Sequence, residues 1–115
     1  TFFLPRLIGF QKASALMLLG DKVSATEAAQ MGMIFRVFTE DNFQEEVNKL
    51  AITLAQMPTK ALGLTKRLLN QSMNNNLDQQ LAMESDLQIE ASSSSDYNEG
   101  VTAFVEKRKP EFKGN

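Results

Sequence analysis

Residues that start and stop helices recur so often along this chain that no long element fits between them. They confine it to a string of helices of a few turns each. Ser24 stands three residues before Glu27, and Asn76 three before Gln79. In each pair the first side chain can accept from the amide of the second while the second reaches back to the amide of the first, a capping box that opens a helix. Asp96 and Glu99 repeat the spacing and predict the start of a last helix. Pro110 should stop it, because the residue before a proline disfavours helical dihedrals. Phe10 to Leu19 carries apolar side chains at Ala13, Leu16, Met17 and Leu19, and Gly20 suits a helix end. The helix opened at Ser24 is short and should end near Gly32. Behind Glu40 and Asp41, which favour a helix N-terminus, Phe43, Val47, Leu50, Leu54 and Met57 recur at steps of four and three and predict one buried face. Pro58 closes that helix or opens the next, from Thr59 to about Met73. The helix opened at Asn76 runs toward the serines at 92 to 95, which read as a loop or a helix end.

Ile34-Phe35-Arg36-Val37-Phe38 alternates in part and is rich in β-branched and aromatic residues, so it reads as a strand, and a lone strand needs a partner elsewhere. The expected fold class is mainly α: about six helices with one or two short strands, joined by short connections that favour packing between sequence neighbours.

Composition narrows the chemistry. The chain has no Cys and no His, so these residues cannot supply a zinc site, a thiol nucleophile, a Ser-His triad or an imidazole acid/base. The net charge is -2 and both signs are dispersed, which gives no general attraction for nucleic acid or an anionic membrane. No apolar run approaches the roughly 20 residues that span a bilayer. The start, Thr1-Phe2-Phe3-Leu4-Pro5-Arg6, lacks the features of a signal peptide, so a cytoplasmic location is expected. The chain enters an apolar segment at once, without an initiator methionine, and is expected to be a piece of a longer protein.

Several short signatures occur in a fixed order: Leu4-Pro5-Arg6 with Gly9, Gly20, Ser24-Ala25 with Glu27-Ala28, Gly32 before an apolar run ending in Val37, Pro58, Lys66, and then Glu99-Gly100-Val101, Ala103-Phe104 and Glu106-Lys107-Arg108-Lys109-Pro110. Together they resemble the C-terminal portion of the enoyl-CoA hydratase/isomerase (crotonase) family over essentially the whole chain. Met31-Gly32-Met33-Ile34 and Asp96-Tyr97-x-Glu99-Gly100-Val101 look most like the branch of phenylacetate-degradation isomerases that rearrange a ring-epoxidised phenylacetyl-CoA.

The resemblance implies the C-terminal helical region of a crotonase fold without its β-β-α spiral. Residues 1–38 would be lead-in helices and a short strand after that spiral. Residues 39–115 would be a helical region for oligomerisation and CoA contact, the whole forming one folding unit. The oxyanion hole and catalytic carboxylates of such enzymes lie upstream, so the resemblance implies no catalytic residue and no metal ligand here. It implies no permanently bound cofactor, with coenzyme A entering as part of the acyl-CoA substrate. The full-length protein would be a trimer or hexamer, and the 115-residue segment alone would be inactive and self-associating. The alternative is a non-catalytic crotonase-like module for CoA binding or oligomerisation, which a missing upstream carboxylate would reveal.

At 100° per residue, Tyr97, Val101, Val105 and Arg108 lie on one side of Phe104, and Gly100, Ala103 and Lys107 on the other. The resemblance implies that Phe104 and Lys107 contact the adenine and ribose-phosphate end of CoA bound mainly by a neighbouring subunit. A phenyl ring offers a stacking face, an ammonium pairs with phosphate, and small neighbours let a nucleotide approach. The plainer reading makes Phe104 core and Lys107 a solvated charge. Arg6 reads as an ion-pair or carbonyl-capping residue rather than a phosphate ligand. Phe2, Phe3, Leu4 and Met17 would line an acyl pocket or be ordinary core. Capping accounts for Glu27 and Glu99, and solvation for Glu106, so none of them is assigned acid/base work. The methionines at 17, 31, 33, 57, 73 and 83 read as gap-filling core.

Overall fold

The two capping boxes close as read and open two of the helices. In the computed structural model, which describes residues 1–115, the Glu27 amide donates to the Ser24 hydroxyl at 3.2 Å and the Ser24 amide donates to the Glu27 carboxylate at 2.9 Å. The Asn76 and Gln79 pair closes in the same way, at 2.9 and 3.0 Å. Seven helices result: α1 (Phe3–Ile8), α2 (Phe10–Leu19), α3 (Ala25–Gln30), α4 (Glu40–Ala55), α5 (Thr59–Ser72), α6 (Leu77–Ser92) and α7 (Ser95–Glu106). The mainly α class is as expected. Helix α2 ends as read, because Gly20 takes φ 72°, a left-handed conformation a side chain would resist, and donates to the Leu16 carbonyl.

Helix α1 is additional to the helices read from the sequence. Its Pro5 sits in the first turn, where the missing amide would have had no intrahelical acceptor, so the proline does not break it. The Arg6 guanidinium donates to the Phe2 carbonyl at 2.9 Å and lies 3.8 Å from the centre of the Phe2 ring, which is the carbonyl-capping role.

The chain divides into two compact units, Thr1–Glu46 and Val47–Asn115, with the division inside α4. In the first unit α1 packs on α2, and Ile8, Ala13 and Ala28 are its buried apolar residues. In the second, α5 packs on α6 and α6 on α7, around Leu87 and Ala103. The Gln80 amide group donates to the Leu68 carbonyl at 3.3 Å and ties α6 to α5.

Two expectations fail for one physical reason. The strand expected at Ile34–Phe38 does not form: residues 31–35 are turns and bends, and 36–39 are irregular. A strand is stabilised by a ladder to a neighbour, and no other segment of this chain supplies one. Phe38 instead packs edge-on against Phe43, with ring centres 6.4 Å apart. Of the expected stripe, Phe43, Val47, Leu50 and Leu54 lie on α4 and Met57 just beyond its end, and none of them is buried. Likewise Met17, Met57 and Met73 are exposed rather than core. No helix is long and apolar enough to cross a membrane.

The last helix starts and stops earlier than its sequence signals suggest. Ser94, not Asp96, is the N-cap; its hydroxyl accepts from the Tyr97 amide at 3.1 Å and donates to the Ala91 carbonyl, so one serine ends α6 and opens α7. Asp96 is thereby freed for another task. It is 3% exposed, and its carboxylate accepts from the amides of Lys113 and Gly114 at 2.7 and 2.8 Å. The Asp96 amide donates to the Asn115 carbonyl, so the tail is folded back along the first turn of α7. Gly114 allows the close approach: φ is 84°, and a Cβ there would strike the Thr59 hydroxyl.

Asp96→Ala should release this tail. Removing an acceptor shared by two amides is expected to cost about 1 to 3 kcal/mol. The denaturation midpoint should fall, and the Lys113 and Gly114 amides should lose protection from hydrogen exchange.

Candidate functional site

From its cap at Ser94, α7 carries Asp96, Glu99, Gly100, Ala103 and Phe104 and ends at Glu106. The turn that follows is closed by Lys107, whose φ of 55° and ψ of 37° are left-handed. The Lys107 amide donates to the Phe104 carbonyl at 3.3 Å and the Arg108 amide to the Ala103 carbonyl at 3.0 Å, the pairing of a Schellman turn. Glycine usually occupies that position. A side chain there strains the backbone by about 1 to 2 kcal/mol, and Lys107 is the single non-glycine residue of the chain with positive φ.

Because the helix stops before residue 107, the 100° rule does not carry on to Lys107 and Arg108. Arg108 turns back over the helix. Two of its guanidinium nitrogens donate to the two Glu99 oxygens at 2.6 and 2.8 Å, and a third donates to Glu106 at 2.6 Å. Glu99 also accepts from the Glu111 amide at 2.8 Å. The Arg108 fork, reinforced by that amide, holds the Glu99 carboxyl down to about 2, and the two glutamates push Arg108 further above its usual range. The Glu27 carboxyl is also held low, by the Ser24 hydroxyl and then by the Ser24 amide, as its capping role requires. No three acidic side chains converge to hold a metal ion.

Helices α5, α6 and α7 enclose a largely apolar groove of about 470 Å³, with Leu64, Leu68 and Leu87 on one side and Val101, Phe104 and Phe112 on the other. Phe104 is 85% exposed and Lys107 is exposed, so Phe104 is not core within this chain. The small residues beside them serve internal packing. Ala103 is 1% exposed, and Gly100 faces the Phe112 ring of the returning tail. Phe2, Phe3 and Met17 are about half exposed or more, and Leu4 is intermediate. The spacing of Asp96 and Glu99 fits a cap, yet both side chains anchor the tail. The serine run just before them was the signal against that reading, since Ser94 caps as well and lies earlier.

The chain belongs to the enoyl-CoA hydratase/isomerase family, whose profile matches residues 1–115. It is 44% identical over 114 residues to the 1,2-epoxyphenylacetyl-CoA isomerase of Escherichia coli K12, covering 99% of this chain and 44% of that protein. It is 36% identical to the 2,3-dehydroadipyl-CoA hydratase of the same organism, over 95% of this chain and 43% of the relative. Among solved structures, an enoyl-CoA hydratase from Geobacillus kaustophilus HTA426 superposes with a TM-score of 0.93 at 32% identity, over 97% of this chain and 42% of that one. The chain thus spans less than half the length of the relatives it matches.

The depressed Glu99 pKa sets an acid window. A folded value of about 2 against an ordinary 4.5 means that the Glu99 contribution to stability is fully present above pH 4.5 and fades as pH falls toward 2. Glu99→Gln should flatten that part of the stability profile. Unfolding followed at pH 2 to 6 checks this, and equal slopes for variant and parent would contradict it.

Proposed function

We propose that these residues are the C-terminal part of an acyl-CoA hydratase or isomerase, and that Phe104 and Lys107 contact the adenine and ribose-phosphate end of CoA. The substrate is a CoA thioester whose carbonyl is polarised as an enolate develops, by groups outside these residues. The observation that carries the contact is Lys107 itself. A glycine would relieve the turn at no steric cost, yet a cationic residue stands there, and its amide donates to the carbonyl of Phe104, whose ring is 85% exposed. Strained backbone held in place by its surroundings is a frequent mark of ligand contact. The exposed apolar side chains of α1, α2 and α4 support a self-associating protein, a trimer or hexamer at full length.

In the full-length protein, Lys107→Ala should raise the CoA dissociation constant about tenfold to a hundredfold, the size of one charge-assisted hydrogen bond. KM should rise with kcat nearly unchanged, because the contact is remote from the thioester and holds substrate and transition state alike. Lys107→Gly should weaken CoA equally while raising the melting temperature, since it removes the strain together with the ammonium. An unchanged dissociation constant at low ionic strength in both variants refutes the contact.

The 115-residue chain by itself should neither hydrate crotonyl-CoA nor isomerise a 3-enoyl-CoA, and it should scatter light as an oligomer rather than at its 12.8 kDa chain mass. Turnover above a boiled control, or a monomer mass at micromolar concentration, would count against this reading.

A further inference from the structure

A lysine on a flexible four-carbon stem makes a poor ligand unless its starting point is held still, and the residues on both sides of Lys107 are held by one carboxylate. Arg108 reaches Glu99 with two nitrogens and Glu106 with a third, and its NH1 also donates to the Lys109 carbonyl at 3.3 Å. The Glu111 amide donates to the same Glu99. Thus Glu106, Arg108, Lys109 and Glu111, which bracket Lys107, are joined directly or through Arg108 to a side chain two turns back on α7. This network is partly solvated, with side-chain exposure of 40% at Arg108, 54% at Glu106 and 24% at Glu99, so solvent screens part of its contribution to stability. Its effect is geometric: it keeps closed a turn that its own backbone strain would open.

We propose that Glu99 is the positioning residue for Lys107, fixing through Arg108 the direction in which the ammonium meets the phosphate of a CoA nucleotide. This rests on the CoA contact proposed above and adds to it the device that pre-organises the contact. A turn ordered before binding spares the ligand the entropy of ordering it. Asp96 holds the next stretch, at Lys113 and Gly114, so the two carboxylates divide the tail between them and only Glu99 acts on the turn at Lys107.

A double-variant cycle in the full-length protein tests it, with CoA as the titrated ligand. Glu99→Gln keeps the shape and removes the charge that the fork needs. It should raise the CoA dissociation constant and KM about twofold to tenfold with kcat unchanged, the scale of ordering one long side chain on binding. Combined with Lys107→Ala it should add nothing, because a positioning residue has no effect once the residue it positions is gone. Arg108→Lys, which cannot fork, should reproduce the loss and serves if Glu99→Gln fails to fold. Amide exchange at Lys107, Arg108 and Glu111 should quicken in both variants without ligand. The proposal is overturned if Glu99→Gln and Arg108→Lys bind CoA like the parent while Lys107→Ala does not, or if the losses add in full. If Lys107→Ala also binds like the parent, the CoA contact itself is wrong and the positioning role falls with it. Faster exchange would then show that Glu99 holds the turn for structural reasons alone.

Discussion

Two carboxylates one helical turn apart, Asp96 and Glu99, fold the segment after α7 back along the helix, with Ser95 and the Asp96 amide binding the last residue. Asp96 does so from a nearly closed site and takes two backbone amides near the end of the chain. Glu99 does so from a partly open site and takes an arginine fork and one amide. The difference in burial separates their tasks. A buried carboxylate that lost its partners would leave unpaired amides and a stranded charge, so Asp96 is an anchor whose loss costs stability. A solvated carboxylate can be replaced more cheaply, so Glu99 acts on shape. From these anchors follow the return of the tail, the seating of Phe112 against Gly100, and the place of Phe112 in the lining of the groove between α5, α6 and α7.

The rest of the chain shows what happens when apolar faces have no partner. Phe3, Phe10, Leu18, Leu19 and Phe35 are more than 70% exposed, and no side chain of α4 is buried. Each of these segments has a regular apolar pattern, so the fault is not in the local sequence. A stripe at helical spacing specifies which face will be buried, and only another element can bury it. Relatives more than twice as long share this fold segment, and the proposal that the chain works as one part of such a protein accounts for the uncovered faces.

What was legible in the sequence follows the same division between local and distant causes. The boxes at Ser24 and Asn76 and the end at Gly20 involve atoms within four residues of one another, and all three form as read. The strand at Ile34–Phe38 depends on a distant partner and does not form. Helix α1 has no side-chain cap to announce it, and its Pro5 is compatible with a helix because it falls in the first turn. The Asp96 and Glu99 roles are hidden differently: their spacing fits a cap, but Ser94 opens the helix two residues earlier by accepting from the Tyr97 amide, so Asp96 already lies within it. Their true partners lie up to 18 residues away, where no local pattern points.

Lys107 shows why the candidate site was only half legible. Its identity pointed to a phosphate partner by resemblance alone, and nothing in the local sequence marks residue 107 as a left-handed position. A glycine there would have announced the turn and removed the charge. With a lysine, the turn is silent in the sequence and visible only as backbone strain, so conformation and chemistry compete for one residue. On the proposed reading the competition is relieved from outside: the Arg108 and Glu99 side chains brace the turn around residue 107. A site of this kind is read by asking which residue is in the wrong conformation for its type, and then which neighbours hold it there.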